Sequence, residues 1–341
     1  MSVPPPSDTR ALQRIVALVE IGRWEDAASA ARALLVTEPA SVEALCLLSQ
    51  SLSAQRLFAG GLEAAQRVLA LDPDSEWAHR LASIAYRGLS RPSLALTHAE
   101  AAVRLAPQLA QAHRAHSQAL LDGGDLDGAA RSALRGVELA PNDAASHRTV
   151  GIVAYQRDEV EAAEAAFRRA LAIEPDDAVS HNELARIALK RSQRTPGGLA
   201  RSARGFARAL AADPRQSGSR KNLELVLRIF LARGAYFLFL AAWLSAIVAS
   251  DDRALSRVIG VLLLVVPVGF TVRFLAALTP SLRSALVATI RADRVLTGAV
   301  GLELLTVAAV VVGALAEQPE LSIGALIASL IVRAMVNSRR R

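Results

Sequence analysis

The sequence predicts an all-α protein in two parts, an array of stacked helical hairpins followed by a transmembrane helical domain. Three observations carry this expectation. Prolines fall at 39, 73, 107, 141 and 175, always 34 residues apart. The 341 residues are 52% hydrophobic but only 4% aromatic, so the apolar fraction is mostly Ala, Leu and Val, and the first two are strong helix formers. From residue 229 onward, near-continuous apolar runs replace the mixed composition of the preceding chain.

The period comes first, because self-similarity at a fixed spacing marks a repeat architecture. The prolines stand in "TEPA", "LDPD", "LAPQ", "LAPN" and "IEPD"; Pro214, in "AADPRQ", lies 39 residues further on, with the surplus in the loop-like "RSQRTPGG". Each unit reads as two helices, A and B. In the fifth, "SHRTVGIVAYQRDEVEAAEAAFRRALAIEPDD", helix A reaches about Gln156, a turn follows near Asp158, and helix B stops before Pro175, which cannot continue a helix. Small residues recur where the two helices must approach: Ser49, Ser83, Ser117, Gly151 and Ala185 on helix A, and Ala27, Gly61, Ala95, Ala129 and Ala163 on helix B.

At these positions the chain resembles the tetratricopeptide repeat (TPR) family, with Val150-Gly151, Ala163, Phe167, Ala170 and Pro175 matching the family pattern in the fifth unit. Ile15 departs from it in the first unit, as does Ala at the usual aromatic site at 31, 65, 99 and 133. The resemblance implies a TPR superhelix of six units over residues 8–216, because a lone hairpin cannot bury its apolar face and must stack on its neighbours. Residues 1–7 read as a disordered tail with no apolar core for a signal peptide. Residues 217–233 read as a capping or linker helix, started by Ser217 or Ser219 and striped by Leu223, Leu225 and Val226.

Histidines at 79, 113, 147 and 181 share the 34-residue period. Adjacent helix axes lie about 8–10 Å apart, whereas the ligands of one zinc ion lie within about 4 Å of one another, so these four cannot share a metal. Packing between units, with a satisfied ring nitrogen, is the expected role. His98, His113 and His116 leave a three-histidine site conceivable, but no patterned carboxylate accompanies them. With Cys46 as the single cysteine, no intramolecular disulfide or thiolate-rich zinc site can form, and no metal or cofactor is expected.

The residue after each histidine forms a second column: Arg80, Arg114, Arg148 and Asn182. In the resembling family helix A lines a concave groove, and these residues occupy one of its groove positions. The same count adds Trp77, Arg87, Gln111, Gln118, Tyr155, Gln156, Arg186 and Lys190. Arginine presents a planar donor fork suited to carboxylates, so a groove of this composition suits an acidic peptide or a free C-terminal carboxylate. The Lys-Asn clamp by which some family members hold such a terminus is not reproduced. The arginines could equally be surface charge paired with nearby Asp and Glu.

Four apolar segments follow, at 234–250, 258–278, 295–316 and 321–336. About 20 apolar residues span a bilayer, and near-continuous apolar runs lack the polar face of helices in soluble domains. Residues 234–336 are therefore expected to form a four-helix transmembrane domain, with 337–341 as a basic cytosolic tail. Residues 217–341 hold 14 Arg or Lys against 7 Asp or Glu, while residues 1–216 balance at 25 each. The arginines flank segment one, crowd the loop between two and three, and close the tail, while "EQPE" between three and four has none. The positive-inside rule then places both termini in the cytosol, at the cytoplasmic (inner) membrane. "SLRSALVATIRADR" reads as a basic amphipathic helix for the lipid interface. Glu303 is the acidic residue inside a span; a structural ion pair with Arg273 is expected, and a proton or ion pathway is the rival.

No P-loop, Gly-rich dinucleotide turn, HExxH, CxxC or GxSxG occurs, so no catalytic residue can be named and an enzyme is not expected. A pI near 10.5 raises nucleic acid, but the balanced array argues against it. The Ala- and Arg-rich composition hints at a bacterial source. The expected function is a membrane-anchored scaffold or adaptor that binds a protein or peptide at the cytosolic face. An assembly factor for a membrane or envelope complex and a small transporter with a regulatory repeat domain are the alternatives.

Overall fold

The computed structural model describes residues 7–192, 197–214, 217–247, 297–302, 305, 328 and 331–332. The chain forms two compact units, Met1–Pro175 and Asp176–Arg341. The first holds five helical hairpins: α1 (Ser7–Glu20) with α2 (Trp24–Thr37), α3 (Val42–Ala54) with α4 (Phe58–Leu71), α5 (Glu76–Gly88) with α6 (Pro92–Leu105), α7 (Ala110–Asp122) with α8 (Leu126–Leu139), and α9 (Ala144–Gln156) with α10 (Val160–Ile173). Within this unit each helix packs on its chain neighbours, and the A helices of successive hairpins also touch. The sixth pair, α11 (Ala178–Arg191) and α12 (Gly198–Ala212), belongs to the second unit.

The period sets the helix boundaries through three columns of residues. The C-cap of each B helix in the first unit is the residue before proline: Glu38, Asp72, Ala106, Ala140 and Glu174 all leave the helical region, with ψ between 72° and 92°, because the proline ring disfavours that region one residue upstream. Each A helix after the first begins four residues later. Ser41, Ser75, Asp143 and Asp177 cap these starts, each side chain accepting a backbone N–H three residues on. Leu109 holds the same place before α7 and supplies no cap. The turn between A and B requires a left-handed residue at Gly22, Arg56, Ser90, Gly124 and Asp158, with φ between 58° and 86°. Only two of the five are glycine, the residue that enters this region without strain.

Within a hairpin the small residues meet as their spacing suggested. Ser49 donates to the Gly61 carbonyl at 2.7 Å, and Ser117 to the Ala129 carbonyl at 2.8 Å. These bonds draw helix A onto helix B beside the buried Ala65 and Ala133, which stand where the family pattern has an aromatic ring. In the fifth hairpin the pair is inverted. Gly151 leaves room, and the fully buried Phe167 ring fills it: a Cβ on Gly151 would lie 2.8 Å from that ring. The departures from the family pattern are therefore complementary exchanges of volume, Ser with Ala or Gly with Phe. The buried Ile15 beside Ala27 and Ala31 in the same cluster is a third solution.

In the second unit, α12 buries Leu199, Ala203 and Phe206 against Leu223, Val226 and Leu227 of α13 (Ser217–Ile247). The separate linker helix and first span expected from sequence are one continuous helix of 31 residues, roughly 46 Å long at 1.5 Å per residue. No proline interrupts it, and Gly234 costs only about 1 kcal/mol within a helix. Further along α13, Leu231 and Ala235 pack with Ala299 and Val332, which come from the third and fourth apolar segments. Among the described residues no helix is long and apolar enough to cross a membrane. The second apolar segment, most of the third and fourth, the 281–294 loop, Arg273, Glu303, residues 1–6 and the 337–341 tail lie outside the described residues.

Two stability changes follow from the columns. Leu109→Asp restores a missing cap and is expected to raise stability by about 1 kcal/mol, read as a higher urea midpoint at unchanged slope. Phe167→Ala is expected to cost about 3–5 kcal/mol. Adding Gly151→Ser recreates the Ser–Ala pair of the other hairpins, so the double variant should lose less than the sum of the two single changes. Strict additivity in a double-mutant cycle would refute the volume exchange.

Candidate functional site

Eight of the residues singled out by sequence lie on α5, α7 and α9: Trp77, Arg80 and Arg87 on α5, Gln111, Arg114 and Gln118 on α7, and Arg148 and Tyr155 on α9. Gln111 is exposed and the other seven are half-buried. Trp77 packs its ring on the core of the first hairpins, so its apolar body is already partly used.

Arg80, Arg87 and Arg114 are held by carboxylates. Arg87 donates from Nε to Asp122 at 2.6 Å and from Nη1 to Gln118, tying α5 to α7. Arg114 donates to Asp143, the residue that caps α9, tying α7 to the start of the next hairpin. Arg80 occupies the same place one unit earlier, but the residue in Asp143's position is Leu109, and Arg80 turns instead to Glu76 of its own helix at 2.6 Å. Burial pushes Arg114 below its usual range; Asp143 works against this, while Arg148 and Arg80 reinforce it by repulsion. Asp143 lies below the usual carboxylate range despite its burial, through the Ser146 hydroxyl and then through Arg114. Arg80 and Arg148 thus both repel Arg114, while Arg80 and Arg114 are each held by a carboxylate.

Asn182, Arg186 and Lys190 lie on α11, in the second unit. Asn182 is buried, at 8% exposure, and its Oδ1 accepts from Ser219 and Asn222 at the start of α13, so it joins two helices. Arg186 pairs with Glu183 at 2.7 Å. Lys190 and Gln156 are exposed.

The histidine column serves the proline turns. His79, His113 and His147 each place Nε2 at 2.8–3.0 Å from the carbonyl of the proline six residues earlier, Pro73, Pro107 and Pro141. A carbonyl only accepts, so Nε2 carries the proton. Where Leu45 replaces the histidine, the Pro39 carbonyl is taken by Arg67 at 2.9 Å. The three histidines that had left a metal site conceivable point to different partners: His98 to His79 Nδ1 at 3.0 Å, His113 to Pro107, and His116 to the Ser132 hydroxyl at 3.1 Å. Among the described residues no three metal-ligating side chains converge. Cys46 is buried, and burial pushes its thiol up to about 12, which leaves it a poor nucleophile.

Sequence reasoning missed the capping column at 41, 75, 143 and 177 and the left-handed column at 22, 56, 90, 124 and 158. Both repeat at the spacing that revealed the prolines. The second role of Asp143, cap and arginine partner at once, has no signal in one sequence beyond its place in that register.

His98, stacked on Tyr86 with ring centroids 5.3 Å apart, is shifted below its ordinary value by burial and then by His79. Burial likewise lowers His116. The unfolded chain then binds more protons than the folded one just below the ordinary histidine value of about 6.5. Stability is fully present above that pH and is lost as pH falls through the lowered values. The urea midpoint should drop on acidification from neutrality, and His98→Gln together with His116→Gln should flatten that slope. An unchanged slope would rule out these two rings as its cause.

The tetratricopeptide repeat family pattern matches residues 12–76 and 80–144. Among solved structures, the chain is similar to a thermophilic TPR protein from Thermus thermophilus, at 22% identity and a TM-score of 0.51, over 54% of this chain and all of that one. It is also similar to a chain of the APC/C hetero-tetramer Cut9-Hcn1, at 14% identity and a TM-score of 0.54, over 64% of this chain and 42% of that one. At these identities the likeness concerns the fold. No curated protein sequence matches the chain. The hairpins of residues 12–144 are tetratricopeptide repeats within an all-α solenoid.

Proposed function

We propose that this chain is a non-catalytic adaptor that holds an acidic peptide segment of a partner protein on the α5–α7–α9 face, and that its apolar C-terminal third anchors it to the cytoplasmic membrane with the repeats on the cytosolic side. The observation that carries the first part is the column Arg80, Arg114 and Arg148. Arg148 and Arg80 both lie near enough to Arg114 to repel it, though less strongly than Asp143 attracts it, so the three guanidiniums concentrate positive charge that an incoming carboxylate can meet. Trp77, Gln111 and Tyr155 stand on the same three helices and would supply apolar and amide contact for a peptide backbone, in keeping with the aromatic and arginine anchors common at interfaces. Tetratricopeptide repeats as a class bind protein or peptide partners. The membrane part is supported by the four apolar runs and by the placement of arginines around them.

The test is a peptide array carrying acidic, neutral and basic sequences, each with a free or amidated C-terminus. The wild-type chain should favour acidic peptides, and R80Q/R114Q/R148Q should weaken that binding at least tenfold at an unchanged helical signal, as expected for loss of charge-assisted hydrogen bonds of about 1.5–3 kcal/mol each. Sensitivity to amidation distinguishes a read C-terminus from an internal acidic stretch. Equal binding of wild type and variant would refute the groove.

A further inference from the structure

The net charge of the chain is concentrated in one short stretch. Residues 191–233 contain ten basic residues and two acidic ones, a surplus that exceeds the +7 of the whole protein. Within it, α12 carries no acidic residue at all. Its three arginines, Arg201, Arg204 and Arg208, fall three and four residues apart, so they form a single stripe along the helix. All three are exposed, and none forms an ion pair among the described residues. The opposite face of the helix is fully used, with Leu199, Ala203, Phe206 and Ala209 buried.

Three acids of the second unit are engaged by groups outside α12. Glu183 holds Arg186, Glu224 holds Arg228, and Asp177 caps α11 through the N–H and hydroxyl of Ser180. At the start of α13, which packs on α12, Arg220 and Lys221 are exposed as well. Arg80, Arg87, Arg114 and Arg157 of the first unit, by contrast, all contact carboxylates.

We propose that α12, with the start of α13, is a docking surface for anionic phospholipid headgroups. Five cations on two packed helices, unpaired among the described residues, complement a sheet of lipid phosphates. The occupant is a membrane rather than a nucleic acid because the same helix α13 continues from Lys221 into an apolar run, where Tyr236 is half-exposed at 49% and Leu231 and Ala235 join residues of the third and fourth apolar segments. Exposed basic residues next to apolar sequence are the arrangement that anionic leaflets attract. The inference extends the membrane reading above, yet it concerns the headgroup contact of α12 and not insertion of the apolar segments.

The full chain carrying Ala211→Cys, one turn beyond Arg208 on the same exposed face, is labelled with an environment-sensitive fluorophore; Cys46, buried and with its thiol pushed up, stays unreacted. The protein is reconstituted with vesicles of phosphatidylcholine alone or mixed with phosphatidylglycerol, each with a headgroup-attached quencher. Quenching is expected in anionic vesicles, reversed by salt, weak in neutral ones, lost in R201E/R204E/R208E and kept in R201K/R204K/R208K, with the helical signal intact in each. Equal quenching in both lipids, or quenching that survives charge reversal, would overturn the proposal. So would a label that answers to duplex DNA and not to anionic vesicles. Alkaline carbonate extraction reports insertion separately: protein that is extracted but still quenched by anionic lipid defeats the anchor reading and leaves the docking surface standing.

Discussion

The rest of the array depends on how closely the two helices of one hairpin can approach. Ser49 and Ser117 reach across to carbonyls at 2.7 and 2.8 Å, which is possible only because the facing residues are Gly or Ala. Where the serine is absent, as at Gly151, a Phe ring occupies the space. The total volume is held while its owner changes, as close packing requires. Ser83 shows that the hydroxyl bond is not obligatory: its Oγ is buried without a partner among the described residues, yet its hairpin still buries Ala95 and Ala99 completely.

Once that approach is fixed, the 34-residue register follows, and every column inherits an environment. A polar residue before each A helix caps it, a left-handed residue turns it, and a histidine closes the proline carbonyl behind it. These roles are satisfied by chemistry rather than by identity. Arg67 replaces the histidine at Pro39, and Arg56, Ser90 and Asp158 stand in left-handed positions that glycine would fill with less strain. Leu109 shows what happens when a role goes unfilled: α7 loses its cap, and Arg80 loses the carboxylate that its counterpart Arg114 finds in Asp143. The arginine column is therefore uneven: Arg80 is held within its own helix, and Arg114 by the next hairpin.

The hairpins were legible in the sequence because the prolines and small residues that make them are local and periodic. The groove residues were legible only as positions. That Arg87 and Arg114 tie neighbouring helices together depends on Asp122 and Asp143, which lie 35 and 29 residues away and become partners only when the hairpins stack. Asn182 illustrates the same limit: its register placed it with the groove, but Ser219 and Asn222 of α13 engage it. The extent of α13 was misjudged for a different reason. A change of composition near residue 233 was read as a boundary, whereas a helix ends only where backbone geometry or capping ends it.

Charge follows the same division of labour. Residues 1–190 carry 24 acidic and 19 basic side chains, and carboxylates engage stacked arginines such as Arg87 and Arg114. An arginine so paired stabilises the stack and also carries a partner that a ligand must match or displace, which favours a ligand bearing several carboxylates over a single diffuse anion. In α12 that competition is absent. Its arginines have no acid within their own helix, and Glu183 and Glu224 are engaged by other arginines. Solvated cations of this kind contribute little to folding and retain their full attraction for an anionic surface. The two sets of arginines thus differ in what they can bind because they differ in what already binds them.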